Sequence, residues 1–191
     1  MAPETTPAPA PAPPFTYPPP LSPFNVTVQD YLAAHPEKQH VVVGALVFLA
    51  GQEDKCLILQ RSTTDFMPNL WETPGGGTDH DETVLEGAVR ELREESGLIA
   101  KHVRRKVGVY EFVHEGEVWW KVSFEVEVEG MDVKLDAEEH QEYLWVSEEE
   151  CRRGVVGVGE REIKLEWTSE AQLKLILEGF QLRREGKERE N

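Results

Sequence analysis

Glu91, Glu94 and Glu95 stand at i, i+3 and i+4, a spacing that brings three carboxylates onto one face of an α-helix. Carboxylates so close repel one another, so either water screens them or a cation sits among them. For an isolated acidic run in an acidic chain the first outcome is the commoner, but here the flanking residues define an anchored element. Thr83 and Glu86 form a capping box, which satisfies the first free amides of a helix, and Gly97 stands just past the other end, where a left-handed residue stops one. Leu85, Ala88, Val89 and Leu92 make an apolar stripe on the opposite side, suited to packing on a domain. Ahead of the helix, Pro74-Gly75-Gly76-Gly77 can bring its own carbonyls near a bound ion. Oxygen donors without Cys or His suit Mg2+ or Mn2+ better than zinc. Arg90 is within reach of Glu86, Glu91 and Glu94, a structural placement, and Glu82 either binds a cation or holds the loop.

Residues 76–98 read GGTDHDETVLEGAVRELREESGL and fit G-x5-E-x7-R-E-U-x-E-E-x-G-U, with U aliphatic. The fixed places are filled by Gly76, Glu82, Arg90, Glu91, Leu92, Glu94, Glu95, Gly97 and Leu98. The stretch resembles the signature of the Nudix hydrolases. That resemblance implies an α/β fold, an α/β/α sandwich with a mixed central sheet, over residues 38–183. It also implies metal-dependent cleavage of a nucleoside diphosphate linked to some group X, giving a nucleoside monophosphate and phosphorylated X. By the same resemblance Glu94 and Glu95, with the Gly75 carbonyl, ligate the metal, Glu91 is a further ligand or the base, and Arg90 orients a catalytic glutamate. Several related enzymes draw their base from a loop well after the box. Glu139, ahead of the strand residue Trp145, is the expected equivalent, with Glu138 and Glu142 as competitors and a solvated acidic loop as the alternative. Arg61 stands where related sequences often place a phosphate-contacting arginine, unless it is merely solvated. The chemistry is coherent: divalent ions held by such glutamates neutralise charge crowding the phosphoryl oxygens.

With 20 basic and 36 acidic residues the formal charge is −16, which disfavours stable nucleic-acid binding. Residues 111–150 hold fourteen acidic residues against Lys121 and Lys134, so a small polyanionic substrate, a nucleoside diphosphate derivative, must be drawn in locally by metal. Ten of the thirteen prolines fall in residues 1–23, expected to be a disordered tail whose PPPLSP either docks on a polyproline-binding groove or keeps the chain soluble. Residues 24–37 are expected to connect that tail to the domain, and 184–191 to fray. No apolar run approaches the length of a membrane span, and Cys56 and Cys151 belong to no zinc pattern. A reduced, cytoplasmic setting is expected. The oligomeric state stays open, a dimer included.

The element order follows from patterning. The run VVVGALVFL after His40 predicts one strand buried on both faces, paired through a polar turn with a second at Cys56–Leu59. Val103–Val113 and Val118–Val128 predict two more; in the latter, alternation puts Val122, Phe124 and Val126 inward and Ser123, Glu125 and Glu127 outward. Tyr143–Val146 predicts a short strand, Ser147 and Glu150 cap a brief helix ending at Gly154, a glycine-rich loop follows to Gly159, and Ser169 and Gln172 cap a long last helix. Phe66, Trp71, Trp119 and Trp120 either stack on a base or belong to the core. Two rivals from other classes are a Nudix-fold binding module without catalysis, disfavoured by the complete set of box glutamates, and an isoprenoid diphosphate isomerase-like enzyme, disfavoured because neither cysteine has a suggestive context.

Overall fold

The computed structural model describes residues 15–49 and 51–190, apart from the side chains of 52–54 and 187–190. The apolar run after His40 divides. Strand β1 (His40–Leu46) pairs in parallel with β6 (Glu117–Val128), whose other edge pairs antiparallel with β5 (Ala100–His114). After Val47 the chain enters β2 (Phe48–Leu49), which joins a second, antiparallel sheet around β3 (Gln52–Arg61), flanked by β4 (Trp71–Glu72) and β7 (His140–Ser147). The single expected strand thus serves two sheets. Val47 is where it changes allegiance, its carbonyl already accepting from Leu57 N at 2.9 Å.

Helix α2 (Val84–Ser96) follows the sequence closely. Thr83 Oγ1 accepts from Glu86 N at 3.1 Å, Glu86 Oε2 accepts from Thr83 N at 2.8 Å, and Gly97 ends the helix at φ 69°. Leu85, Ala88 and Leu92 are fully buried against β1 and its neighbours, while Val89 packs partly against the same cluster. Each buried leucine contributes about 1.5–3 kcal/mol by area, enough to hold the helix in one rotational setting.

On the far side of the sheets lies α4 (Glu170–Glu190), with Leu175, Ile176 and Phe180 in a second apolar cluster beneath it. Helix, sheets and helix make the expected α/β sandwich. This packing corrects the reading of β6: Ser123 and Glu125, assigned to solvent by alternation, are 0% and 1% exposed. Helix α4 returns over that face, and Glu125 takes Arg183 of α4 and Arg105 of β5 (Nε to Oε2, 3.0 Å) as partners, so the carboxylate is buried with its countercharges. The helix continues through Glu190, past the residue 184 at which fraying was expected; Asn191 lies outside the described residues.

The short helix α3 (Glu148–Arg153) has both halves of its capping box and ends on Gly154, and Arg184 of α4 reaches its Glu148. The glycine-rich stretch after it is a hairpin, β8 (Val155–Val158) and β9 (Arg161–Lys164), not a loop. Its valines find backbone partners, and Val156 is buried at 3% exposure.

The amino-terminal segment is the largest departure. Residues 1–14 of the expected tail lie outside the described residues, but 15–23 pack on the domain. Thr16 bridges to β5, donating to Lys101 O at 3.1 Å and accepting from Val103 N at 2.8 Å. Phe15 and Leu21 are 4% and 3% exposed, and a 3-10 helix spans Pro19–Phe24. Proline content masked this, because the aromatic and leucine side chains between the prolines carry enough apolar area to dock. The expected connector contains α1 (Val28–Ala34), capped by Thr27, whose Tyr31 stacks on Trp120 at 5.0 Å.

Candidate active site

The loop between β4 and α2 lies against β1: Ala45 N donates to Pro74 O at 2.8 Å and Val43 N to Gly76 O at 2.9 Å. Gly75 adopts φ +151°, and a Cβ there would overlap the Val43 carbonyl, so only glycine fits. At Gly76 a Cβ would fall 2.6 Å from Glu91 Oε2, so the Glu91 carboxylate lies directly on the loop. Gly75 N donates to Glu95 Oε2 at 2.8 Å. The carbonyls of Pro74, Gly76 and Gly77 are all taken by donors, Gly77 by Arg90 at 2.9 Å, whereas no donor among the described residues reaches that of Gly75.

Arg90 is the hub of this arrangement. Its guanidinium donates to Glu82 twice (3.0 and 2.7 Å), to Glu91 Oε1 (2.7 Å) and to Glu94 Oε2 (2.9 Å), and these bonds, Glu82's first, raise its pKa further. Glu82 also accepts from Asp79 N at 2.9 Å, so of its two expected roles the geometry shows the loop-holding one. The three helix carboxylates differ in setting. Glu94 is half-exposed, Glu91 mostly covered, and Glu95 only 4% exposed. Burial pushes the Glu91 carboxyl up against the opposing pull of Arg90. Burial pushes that of Glu95 well above the carboxylate range, with Glu72, Glu91 and Glu139 adding to the effect and the Gly75 amide opposing it.

The segment 134–140 is strapped to the end of α2, with Lys134 N donating to Ser96 O at 2.8 Å and Asp136 N to Glu95 O at 3.3 Å. Glu139 is thereby carried to the site: Glu95, Glu139 and His140 each offer a ligand atom, all within 4.8 Å of one another. The competitors Glu138 and Glu142 are absent from that group, and so are the expected ligands Glu91 and Glu94. His140 was not singled out in the sequence. It is 1% exposed, neither ring nitrogen has a hydrogen-bond partner among the described residues, and its Nε2 lies 3.7 Å from Glu72 Oε1, ion-pair range rather than a hydrogen bond. Burial works against the ionised form of Glu72, but His140, Lys121 and Arg61 around it outweigh that and hold its pKa below the usual value.

The donor set fits a divalent cation. Burial disfavours the ionised forms of Glu91 and Glu95, a cation among them would restore those forms, and the donors, mainly oxygens, suit Mg2+ or Mn2+. Beside them opens a cavity of about 410 Å³, bounded by Gly75–Gly77, Arg61, Phe66, Tyr110, Phe112 and the start of α4. Arg61 binds Glu72, Asp65 Oδ2 at 2.5 Å and the Phe66 carbonyl at 2.5 Å, so its fork is engaged within the wall. Of the four aromatic candidates only Phe66 lines this space. Trp71 and Trp120 are core residues, and Trp119 stacks on His40 at 4.1 Å.

The NUDIX domain family model matches residues 38–173. The chain belongs to the NUDIX domain family. Nudix hydrolases act on diphosphate bonds in nucleotide derivatives. A CTP pyrophosphohydrolase of Escherichia coli is 35% identical over 112 residues, 58% of this chain and 77% of that protein. An m7GpppN-mRNA hydrolase of Bos taurus is 40% identical over 85 residues, 42% of this chain, but the chain spans only 28% of that relative's length. The crystal structure of a MutT protein from Methanosarcina mazei Go1 covers 77% of the chain and 96% of its own, at 26% identity and a TM-score of 0.60. Among the described residues of this Nudix domain no helix is long and apolar enough to cross a membrane.

Proposed function

We propose that the chain is a metal-dependent pyrophosphohydrolase that cleaves a nucleoside diphosphate linked to X into nucleoside monophosphate and phosphorylated X. The observation that carries this is the convergence of Glu95, Glu139 and His140, with ligand atoms within 4.8 Å of one another, on a loop whose Gly75 N donates to Glu95 and whose Gly76 lies against Glu91, next to a cavity of about 410 Å³. Glu91, Glu94, Glu95 and Gly75 would hold Mg2+ or Mn2+, which supplies positive charge to the diphosphate oxygens when bound. Arg90 fixes the direction of the Glu91 and Glu94 carboxylates. Glu139, exposed at the end of its loop, is the general base that takes a proton from the attacking water. Arg61 adds positive charge to the cavity wall while tied to Glu72 and Asp65. The likeness to a CTP pyrophosphohydrolase over most of that protein's length supports a free nucleotide as substrate.

The test is a panel of nucleoside triphosphates, dinucleoside polyphosphates and nucleotide sugars, with Mg2+, with Mn2+ and with chelator, and with products identified. Nucleoside monophosphate is expected as a primary product, and none with chelator. Release of orthophosphate or free nucleoside as the first product, or full activity without metal, refutes the reading.

A further inference from the structure

The floor of the cavity holds a cation that nothing in the hydrolytic machinery uses. Lys121 sits at the middle of β6, in a row across the sheet between Val42 of β1 and Tyr110 of β5. It is 5% exposed and lines the cavity. Its ammonium donates once, to Gln172 Oε1 at 3.2 Å, and Gln172 is fixed in turn by donating to Thr73 Oγ1 at 2.9 Å. No carboxylate among the described residues lies within 4.0 Å of it. Glu72, the nearby acid, is taken by Arg61 and acts on Lys121 only at longer range.

A buried ammonium with one neutral partner is costly unless something else accepts its remaining protons. The start of α4 adds to the demand for an acceptor. Thr168, Ser169 and Ala171 at the amino end of α4 line the cavity, where unpaired amides and the helix dipole favour negative charge. Ser169 Oγ already caps that helix by accepting from Gln172 N at 3.0 Å. Tyr110, which pairs with Lys121 across the sheet, lines the same cavity with Phe112 and Phe66, and these aromatic faces suit a ring. The loop against which the box carboxylates lie is close by: a Cβ on Gly44 would fall 3.3 Å from Lys121 Cε, and one on Gly75 would fall 2.7 Å from Gly44 Cα.

We propose that Lys121 is the specificity-determining residue of this cavity, its ammonium donating to a ring carbonyl oxygen of the substrate's base. The chain then favours nucleotides of cytosine, uracil and guanine over those of adenine, which has no carbonyl. This rests on the proposed pyrophosphohydrolase reading in taking the ligand to be a nucleotide. Loss of a charge-assisted hydrogen bond in a dry site corresponds to roughly 10- to 100-fold in affinity.

The experiment compares CTP, UTP, GTP and ATP with the full chain and with Lys121→Met. The parent should favour at least one carbonyl-bearing nucleotide over ATP by roughly 10- to 100-fold, and the variant should lose that preference chiefly through KM. A parent indifferent to the base overturns the proposal. An equal loss on all four nucleotides also overturns it, because the ammonium then serves the phosphates or the fold. Failure of hydrolysis is separated by binding CMP, UMP, GMP and AMP to the full chain in chelator. Selective binding that Lys121→Met abolishes upholds the inference even if no nucleotide is cleaved; equal binding, or none, sinks it. Should Lys121→Met lack a native thermal transition, Lys121→Gln is judged by the same ratios.

Discussion

Replacing Phe15 by alanine tests whether the amino-terminal segment belongs to the domain. The side chain is 4% exposed and packs in the cluster that also contains Leu85, Leu98 and Ala100. It lies beside Val89 and Ile99 at the wall of a groove of about 450 Å³, so its removal enlarges a space the surroundings cannot readily close. Burial this complete makes Phe→Ala cost about 3–5 kcal/mol, and in a domain of this size each kcal/mol moves the midpoint by about 2–4 °C. The thermal midpoint should therefore fall by roughly 6–20 °C. Thermal unfolding followed by far-UV circular dichroism, with urea titration as a second probe, gives the number. Deletion of residues 1–23 should destabilise at least as much as Phe15→Ala. A Phe15→Ala midpoint within about 2 °C of the parent would refute the reasoning, because solvent exposure would then be the segment's ordinary state.

Glu139→Gln should lower turnover by roughly 10²–10⁴ with little change in the metal concentration needed, read from steady-state kinetics against metal; rescue by excess metal would instead make it a ligand. Arg90→Lys keeps the charge but cannot fork to Glu82 while holding Glu91 and Glu94, so turnover should fall roughly 10- to 100-fold with substrate KM nearly unchanged. Glu148 reports on the α3–α4 contact through pH. Burial raises its pKa, but the bonds from Arg152 and Arg184 outweigh this and lower it, so its stabilisation exists above the unfolded-state value and disappears as pH falls through the folded one. The midpoint gap between parent and Glu148→Gln should accordingly be open at pH 7 and narrow on acidification below about pH 4.5; a gap that widens there contradicts the assignment.

Legibility followed the range of the interactions. Thr83 with Glu86, and Ser147 with Glu150, cap their helices through neighbours three residues away, so local sequence sufficed. Burial of Glu125 depends on a helix arriving some 58 residues later to deliver Arg183, and alternation within β6 contains no trace of that return. Prolines spoke louder than Phe15 and Leu21 at the amino end, because composition averages over the few side chains that dock. At the site, the box residues were readable as a set, and the resemblance pointed to Glu139, which the fold brings to within 4.8 Å of Glu95. Glu72 and His140 were not readable, since each has ordinary neighbours in sequence and acquires meaning only from partners on other elements, and Gln172 was readable as a helix cap but not as the partner of Lys121. Lys121 did leave a mark: a lone lysine in an otherwise apolar and acidic strand, noticed as charge but not as a position.

Trp120 and Lys121 are consecutive residues whose side chains leave β6 in opposite directions. Trp120 meets Tyr31 and Phe24 of the amino-terminal segment at 5.0 and 6.4 Å, while Lys121 meets the cavity and Gln172. Two neighbouring codons therefore answer to unrelated demands, one to the fit of a leading segment that precedes the family's matched region, the other to whatever occupies the cavity. Because a strand moves as a rod, a change of bulk at Trp120 would be felt as a displacement of Lys121, and exchanging the leading segment would be a way to retune ligand choice without altering a single residue that faces the ligand.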